Sequence, residues 1–259
     1  MKTIYSTPQF NKSLKDNILS HAGMDELNFF ESNLKQRALN NKECKILFAT
    51  LRAFYHETPS GILCLALRVH DYWDKINTWE AMAKAAYLLS AAVDEFGLDT
   101  RKEYNLTHHQ HFKLIANYFN VTTEDLKSPV NILEAGKNMG KAAHEFYRKK
   151  PIPDSLGFHL ASEITSFYEF KTLLEGFQKH IDKYKISSQE DLPLDFFQIH
   201  TKIEHSHGVA SEIITNNYLK INPQDIKYIT DGVFIYMQYY QALFKSLNQV
   251  IFSSCSSQK

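Results

Sequence analysis

Apolar side chains recur at intervals of three and four residues along most of this chain, which is the spacing of one face of an α-helix. Interruptions in the pattern carry residues that begin and end helices, such as Thr78 before one apolar run and Gly97 after it. Pro151 and Pro153 stand at the start of the longest run. The predicted helices span residues 25–36, 42–55, 61–73, 78–97, 107–119, 134–149, 154–184, 194–218 and 223–250.

The pattern predicts a single all-α domain. The 259 residues include only 9 Gly and 7 Pro, and this scarcity favours long helices over a turn-rich β fold. We expect a bundle of seven to nine helices over residues 23–252. A loosely packed polar lead-in is expected at 1–22 and a flexible tail at 253–259. Neither an internal repeat nor a change of composition divides the chain.

Charge and cysteine content narrow the function classes. The 29 basic and 29 acidic residues balance, so no net field attracts nucleic acid or an anionic membrane. No stretch approaches the roughly 20 apolar residues that cross a bilayer, and the N-terminus lacks the apolar core of a secretion signal. Cys44, Cys64 and Cys255 form neither a disulfide framework nor a zinc pattern. A cytoplasmic protein is expected.

The most informative motif is FFQIHTKIEHSHG, in which His200, Glu204 and His207 fall at i, i+4 and i+7. At roughly 100° per residue, the second and third side chains lie within about 40° and 20° of the first. Two imidazoles and a carboxylate therefore share one stripe of a helix. Such a set suits iron, manganese or zinc, although a solvated polar face has the same spacing.

Partners for this stripe must come from other helices. Glu95 ends an apolar helix in the motif VDEFG, and Glu163 lies on the apolar face of the longest predicted helix. A carboxylate on a buried face needs a hydrogen bond, an opposite charge or a metal ion. The motif THHQHF offers His108, in the first turn of its helix and beside the apolar face, with His111 at the edge of that face. Ligands on facing helices are typical of dimetal sites in helical folds.

The order DEFG, HxxHF, a mid-helix Glu and FFxxHxxxExxHG resembles the haem-oxygenase-like dimetal oxidases over roughly residues 24–247. That group is similar in fold to the TenA and PqqC proteins and includes the Chlamydia protein associating with death domains. The resemblance implies a haem-oxygenase-like helical bundle with two metal ions. The ligands that it implies are Glu95, His108, Glu163, His200, Glu204 and His207.

Two features depart from the family pattern. The acid between the last two histidines is more often Asp, whereas this chain has Glu204. The stretch between Glu95 and His108 is longer and more polar than usual, so His109 or His111 is an alternative ligand at that position.

The resemblance implies a non-haem di-iron oxidase or oxygenase with two Fe(II) per chain, or mixed manganese and iron, and with O2 as co-substrate. Decarboxylation, desaturation, C–C cleavage or N-oxygenation of a small molecule such as an amino acid, amine or fatty acid would follow. Glu163 is expected to bridge the ions because it lies on the central helix. A small-molecule substrate is the expected partner, and a homodimer is compatible with the fold family.

Three other functions stay open at this point. A TenA-like hydrolase would require a cysteine nucleophile, and a PqqC-like oxidase would work without a metal. A helical interaction module with a vestigial metal site would show metal content without dioxygen consumption.

For a substrate carboxylate, Lys171 and Arg68 are candidate cations. The candidate aromatic cavity residues are Phe158, Phe167, Tyr168, Phe196, Phe197, Tyr236 and Tyr240.

Overall fold

The computed structural model describes residues 7–98, 106–184 and 194–252, and these ranges fold as eleven α-helices without strands. The all-α class is therefore confirmed. The helices are α1 Thr7–Leu19, α2 Ala22–Gln36, α3 Asn41–Tyr55, α4 Thr58–Asp74, α5 Thr78–Glu95, α6 His108–Tyr118, α7 Thr123–Lys127, α8 Glu134–Arg148, α9 Ile152–Lys179, α10 Asp195–Ile221 and α11 Ile226–Phe252.

Local signals set the ends of the helices that matter most for the site. Asn77 caps α5 by accepting a hydrogen bond from the backbone N–H of Trp79, and Gly97 follows α5 with a φ of 79°. Thr107 and Gln110 form a reciprocal capping box at the start of α6. Gly97 therefore marks the end of α5, and the capping box marks the start of α6.

Helix α9 is the centre of the bundle and packs against α10, α11 and α2. Its 28 residues are buried on almost every side over the first half. Gly157 allows α9 to approach α11, since a Cβ added there would lie 2.0 Å from the carbonyl oxygen of Ile229. Gly232 likewise allows α11 to approach α9, since a Cβ added there would lie 2.1 Å from the carbonyl oxygen of Asp154. The two backbones therefore touch where the helices cross.

Two helices were not predicted. The expectation of a loosely packed lead-in is wrong for residues 7–19, because α1 buries Phe10, Leu14 and Ile18 in the core. Three apolar residues four positions apart form a narrow stripe that the polar composition of this segment conceals. The other addition is the five-residue α7, which Thr122 caps and Leu126 anchors. The predicted tail, 253–259, lies outside the described residues.

The predicted helix 154–184 is shorter than expected. Helix α9 ends at Lys179, and a 3-10 turn follows over Ile181–Tyr184. None of the helices in the described ranges combines the length and the apolar character that crossing a bilayer requires.

Candidate metal centre

A cavity of about 230 Å³ opens between α3, α4, α5, α6, α7, α9 and α10. Its deep end is polar, which is unusual for the interior of a helical bundle. Five of the residues predicted as ligands line it, namely Glu95, His108, Glu163, His200 and His207. The side chain of the sixth, Glu204, lies outside the described residues, although its backbone belongs to α10.

Three of these side chains form a compact group. Glu95 from the end of α5, His108 from the start of α6 and His200 from α10 each place one ligand atom so that all three lie within 4.8 Å of one another. The Nδ1 atom of His108 lies 3.1 Å from Oε2 of Glu95. The side chains of His108 and Glu95 are 6% and 15% exposed, so water solvates neither group fully.

The ring of His200 is held in one orientation. Its Nδ1 donates a hydrogen bond to the carbonyl oxygen of Phe196 at 2.6 Å, since that oxygen can only accept. The ring centroid lies 3.9 Å from that of Phe170 and 4.3 Å from that of Phe196. Burial, together with the neighbouring His108, holds the pKa of His200 well below its ordinary value. The neutral ring therefore carries its proton on Nδ1 and leaves a lone pair on Nε2.

A second group surrounds Glu163, whose side chain is 6% exposed. Oε2 of Glu163 lies 3.6 Å from Nδ1 of His207, and Oε1 lies 3.4 Å from Nδ1 of His159. His159 is buried one helical turn before Glu163 and also lies 3.4 Å from the hydroxyl of Tyr147. Sequence reasoning missed His159. Its offset of four residues from Glu163 was the available signal.

Asp94 is the second residue that sequence reasoning missed. Its Oδ2 lies 2.8 Å from Nε2 of His207, and its position beside Glu95 at the end of α5 brings the two groups together. Burial by itself lowers the pKa of His207, but the hydrogen bond to Asp94 and the charge of Glu163 outweigh it, and the pKa is raised. The DE pair that closes α5 was the signal, of which only the Glu was chosen.

The alternative histidines do not join this group of ligand atoms. His109 is exposed, stacks on His56 with ring centroids 5.2 Å apart, and places Nε2 3.2 Å from the carbonyl oxygen of Tyr55. His111 is half-buried, and burial followed by the neighbouring His108 lowers its pKa. Of the three, His108 is the one that meets Glu95 and His200.

A further buried acid lies behind the cavity wall. Glu169 of α9 is 2% exposed and accepts a short hydrogen bond from Tyr55, which lines the cavity. Burial raises the pKa of Glu169 to about 7.

Most of the side chains predicted to contact the substrate are not among the described residues that line the cavity. Of the seven aromatic residues predicted at the cavity, Phe196 lies among the described lining residues, and the other six do not. Arg68 donates to the backbone carbonyl oxygens of Tyr147 and Lys150 and is a structural cation. Lys171 is exposed, and its Nζ lies 3.7 Å from Glu175. Arg52 of α3 is the arginine that lines the cavity.

The donor set and its geometry fit a metal ion. His108 Nδ1 is buried, and within the described part of the chain it has no hydrogen-bond partner, despite its proximity to Glu95. Metal–ligand bonds of about 2.0–2.2 Å put two ligand atoms of one ion roughly 3–4 Å apart. The separations in the first group are close to that range, so small side-chain rotations would bring all three atoms to bonding distance. Two imidazoles and one carboxylate suit iron, manganese or zinc.

Comparison with solved structures supports the fold. No family model matches the sequence, and no curated protein matches it. The fold is similar to two crystal structures of a CADD-like protein of unknown function from Nostoc punctiforme PCC 73102. In one, 96% of this chain aligns with 96% of that chain at 14% identity and a TM-score of 0.68. In the other, 95% aligns with 98% at 13% identity and a TM-score of 0.69. At such identities, the likeness shows a shared all-helical fold.

Proposed function

We propose that this protein is a non-haem di-iron oxidase or oxygenase that acts on a small molecule. The observation that carries the proposal is the convergence of Glu95, His108 and His200 from three helices, with Glu163 and His207 in the same cavity. The sequence motifs resemble those of the haem-oxygenase-like dimetal oxidases, and the CADD-like fold neighbours are consistent with that resemblance.

Each group would hold one ion. Glu95, His108 and His200 would hold the first. Glu163 and His207 would contribute to the second, with Glu204 proposed from its place on the same helix stripe. The charge of Glu95 acts on His207, and that of His207 on His200, so the groups are electrostatic neighbours. Glu163, on the central helix, is the proposed bridging carboxylate.

Two ferrous ions bound here would supply electrons to dioxygen, which would be the oxidant of the substrate. The chain itself orients the ligands. Phe196 fixes the tautomer of His200 through its carbonyl oxygen, and Asp94 holds Nε2 of His207. Such partners of a ligating histidine set the direction of its lone pair. Phe170 and Phe196 cover the ring of His200 and exclude water from that side.

The proposal is tested by anaerobic loading with ferrous iron, followed by exposure to dioxygen. We expect uptake of two iron ions per chain, consumption of dioxygen and a transient visible absorption. Glu163→Ala is expected to lose the uptake while circular dichroism shows an intact fold. Glu175→Ala is the matched control, since Glu175 lies on the same helix but is 37% exposed and bound to Lys35. Absence of iron uptake by the wild-type chain, or unchanged uptake in Glu163→Ala, would contradict the proposal.

A TenA-like hydrolase receives no support from the described cysteines. Cys44 is buried, and burial raises the pKa of its thiol to about 12, so it forms little thiolate. Neither Cys44 nor Cys64 is among the described cavity residues. Cys255 lies outside the described residues.

A helical interaction module is the second candidate, and one surface feature favours it. Ile76, Trp79 and Met82, around the start of α5, are 51%, 95% and 74% exposed. Apolar side chains exposed together are typical of protein contacts. This candidate predicts iron binding without dioxygen consumption, so the loading experiment also separates the two functions.

A further inference from the structure

We infer that the cavity binds a small organic carboxylate, with Arg52 as the residue that holds the carboxylate group. The inference rests on the proposed function for the reaction at the candidate metal centre. What it adds is the side chain that binds the substrate carboxylate, a role for which the sequence had suggested Lys171 and Arg68.

The cavity changes in character from its mouth to its base. His56, Lys113 and Lys127 line it and are exposed, whereas Glu163 and His200 line it and are buried. Apolar side chains also line the cavity. They include Phe54, Ile62, Ala91, Phe112, Leu126 and Phe170. A ligand would therefore meet cations on the exposed side, the candidate metal ligands on the buried side, and apolar walls.

Arg52 is a half-buried cation for which the described residues offer no hydrogen bond or ion pair to the guanidinium. Burial and then the charge of Arg52 lower the pKa of nearby His56, so that imidazole favours its neutral form and adds no second positive charge. A guanidinium that is partly removed from water needs an anion, and its planar shape binds a carboxylate through two parallel hydrogen bonds.

The other charges of the cavity also favour an anion. Among the described lining residues, Arg52, Lys113 and Lys127 are cationic, and Glu95 and Glu163 are anionic. Both carboxylates belong to the candidate metal centre, where bound ions would more than neutralise them. Lys113 and Lys127 are exposed, so their main effect is to attract anions towards the mouth rather than to hold them.

The dimensions of the cavity narrow the ligand further. A volume of about 230 Å³ lies below the roughly 300–1,000 Å³ of sites for drug-sized ligands, so a long lipid chain does not fit within it. A compact carboxylate meets this constraint.

The test measures binding to the full-length protein without dioxygen, both metal-free and loaded with Mn(II). The probes are benzoate and hexanoate, each compared with its neutral amide, by isothermal titration calorimetry. We expect the carboxylates to bind at least about tenfold more tightly than the amides, and added salt to reduce that preference. Arg52→Gln is expected to lose about tenfold in carboxylate affinity, and Arg52→Lys to recover part of it.

Lys171→Gln is the matched control, since it removes an exposed cation outside the cavity, and its affinities are expected to equal those of the wild type. Equal binding of acid and amide, no binding of either carboxylate, or an unchanged affinity in Arg52→Gln would overturn the inference. Because no iron reaction is measured, its failure is separable from failure of the proposed function. Arg52-dependent binding in a chain that takes up no iron would remove the oxidase and leave the carboxylate site.

Discussion

His108 Nδ1 lies 3.1 Å from Glu95 Oε2, yet these two atoms do not form a hydrogen bond. A buried imidazole nitrogen without a hydrogen bond is costly unless another group binds it. The two atoms lie side by side but are poorly aligned for a hydrogen bond. Ligand atoms that share one cation have this arrangement. This relationship favours a bound cation over a buried ion pair at this centre.

The first prediction tests whether His108, rather than His109, is the metal ligand from α6. His108→Gln is expected to weaken binding of the first ion by more than the roughly 10–100-fold that loss of an outer partner costs, because a direct ligand is lost. His109→Gln is the control, since that ring stacks on His56 at the exposed end of the cavity. Competition with a chelator of known affinity measures both. Equal losses in the two variants would show that the ligand assignment in α6 is wrong.

The second prediction concerns Asp94, which is proposed to act through His207. Asp94→Asn is expected to weaken metal binding by roughly 10–100-fold with the fold intact, because a neutral amide is a weaker acceptor than a carboxylate for the Nε2–H of His207. Asp71→Asn is the control, since Asp71 forms an exposed pair with His70 at 3.3 Å, remote from the cavity lining. If Asp94→Asn binds metal like the wild type, the 2.8 Å contact with His207 has no role in the site.

The third prediction is a pH dependence of stability from Glu169. Burial raises its pKa from 4.5 to about 7 in the folded chain. Between these values, the folded state holds a proton that the unfolded state releases, so the free energy of unfolding falls as the pH rises and then levels off above about pH 7. The full effect is about 3 kcal/mol.

Glu169→Gln isolates that contribution, because the amide does not ionise. Urea unfolding of metal-free wild-type and variant proteins across this pH range measures the difference in stability. We expect the wild type to lose about 3 kcal/mol relative to the variant between pH 4.5 and about pH 7. Parallel curves would show that Glu169 ionises normally in the folded protein.

The fourth prediction tests the crossing of α9 and α11. Gly157→Ala is expected to lower the free energy of unfolding by at least about 2 kcal/mol, because its methyl group would meet the backbone of Ile229 at 2.0 Å. Gly208→Ala in α10 is the matched control, since nothing lies within 4 Å of the added Cβ. That change is expected to stabilise the helix by about 0.5–1 kcal/mol. Equal effects in thermal or urea unfolding would contradict the close approach.

The helices were largely predictable because amphipathic spacing and capping residues are local properties. Thr107 and Gly97 marked boundaries that the structure keeps within a residue or two. Helix α1 was not predicted, because only Phe10, Leu14 and Ile18 form its buried stripe in an otherwise polar segment. Its packing depends on the rest of the bundle, which no local pattern reveals.

Part of the site was predictable because the spacing within one helix carried information. His200 and His207 share a stripe of α10, and Glu163 lies on a buried face of α9, so their positions suggested a common interior site. Arg52 gave no such signal, and Asp94 was marked only by its place beside Glu95. Asp94 reaches His207 through the crossing of α5 and α10, and Arg52 faces the cavity through the placement of α3, and both are properties of tertiary packing.

The most direct test of the metal centre is diffraction from iron-loaded crystals at the iron absorption edge. We expect two anomalous peaks in the cavity. One peak should lie at bonding distance from Glu95, His108 and His200, and the other should lie beside Glu163 and His207. Anomalous density elsewhere on the surface, with these five side chains unbound, would contradict a dimetal centre in this protein.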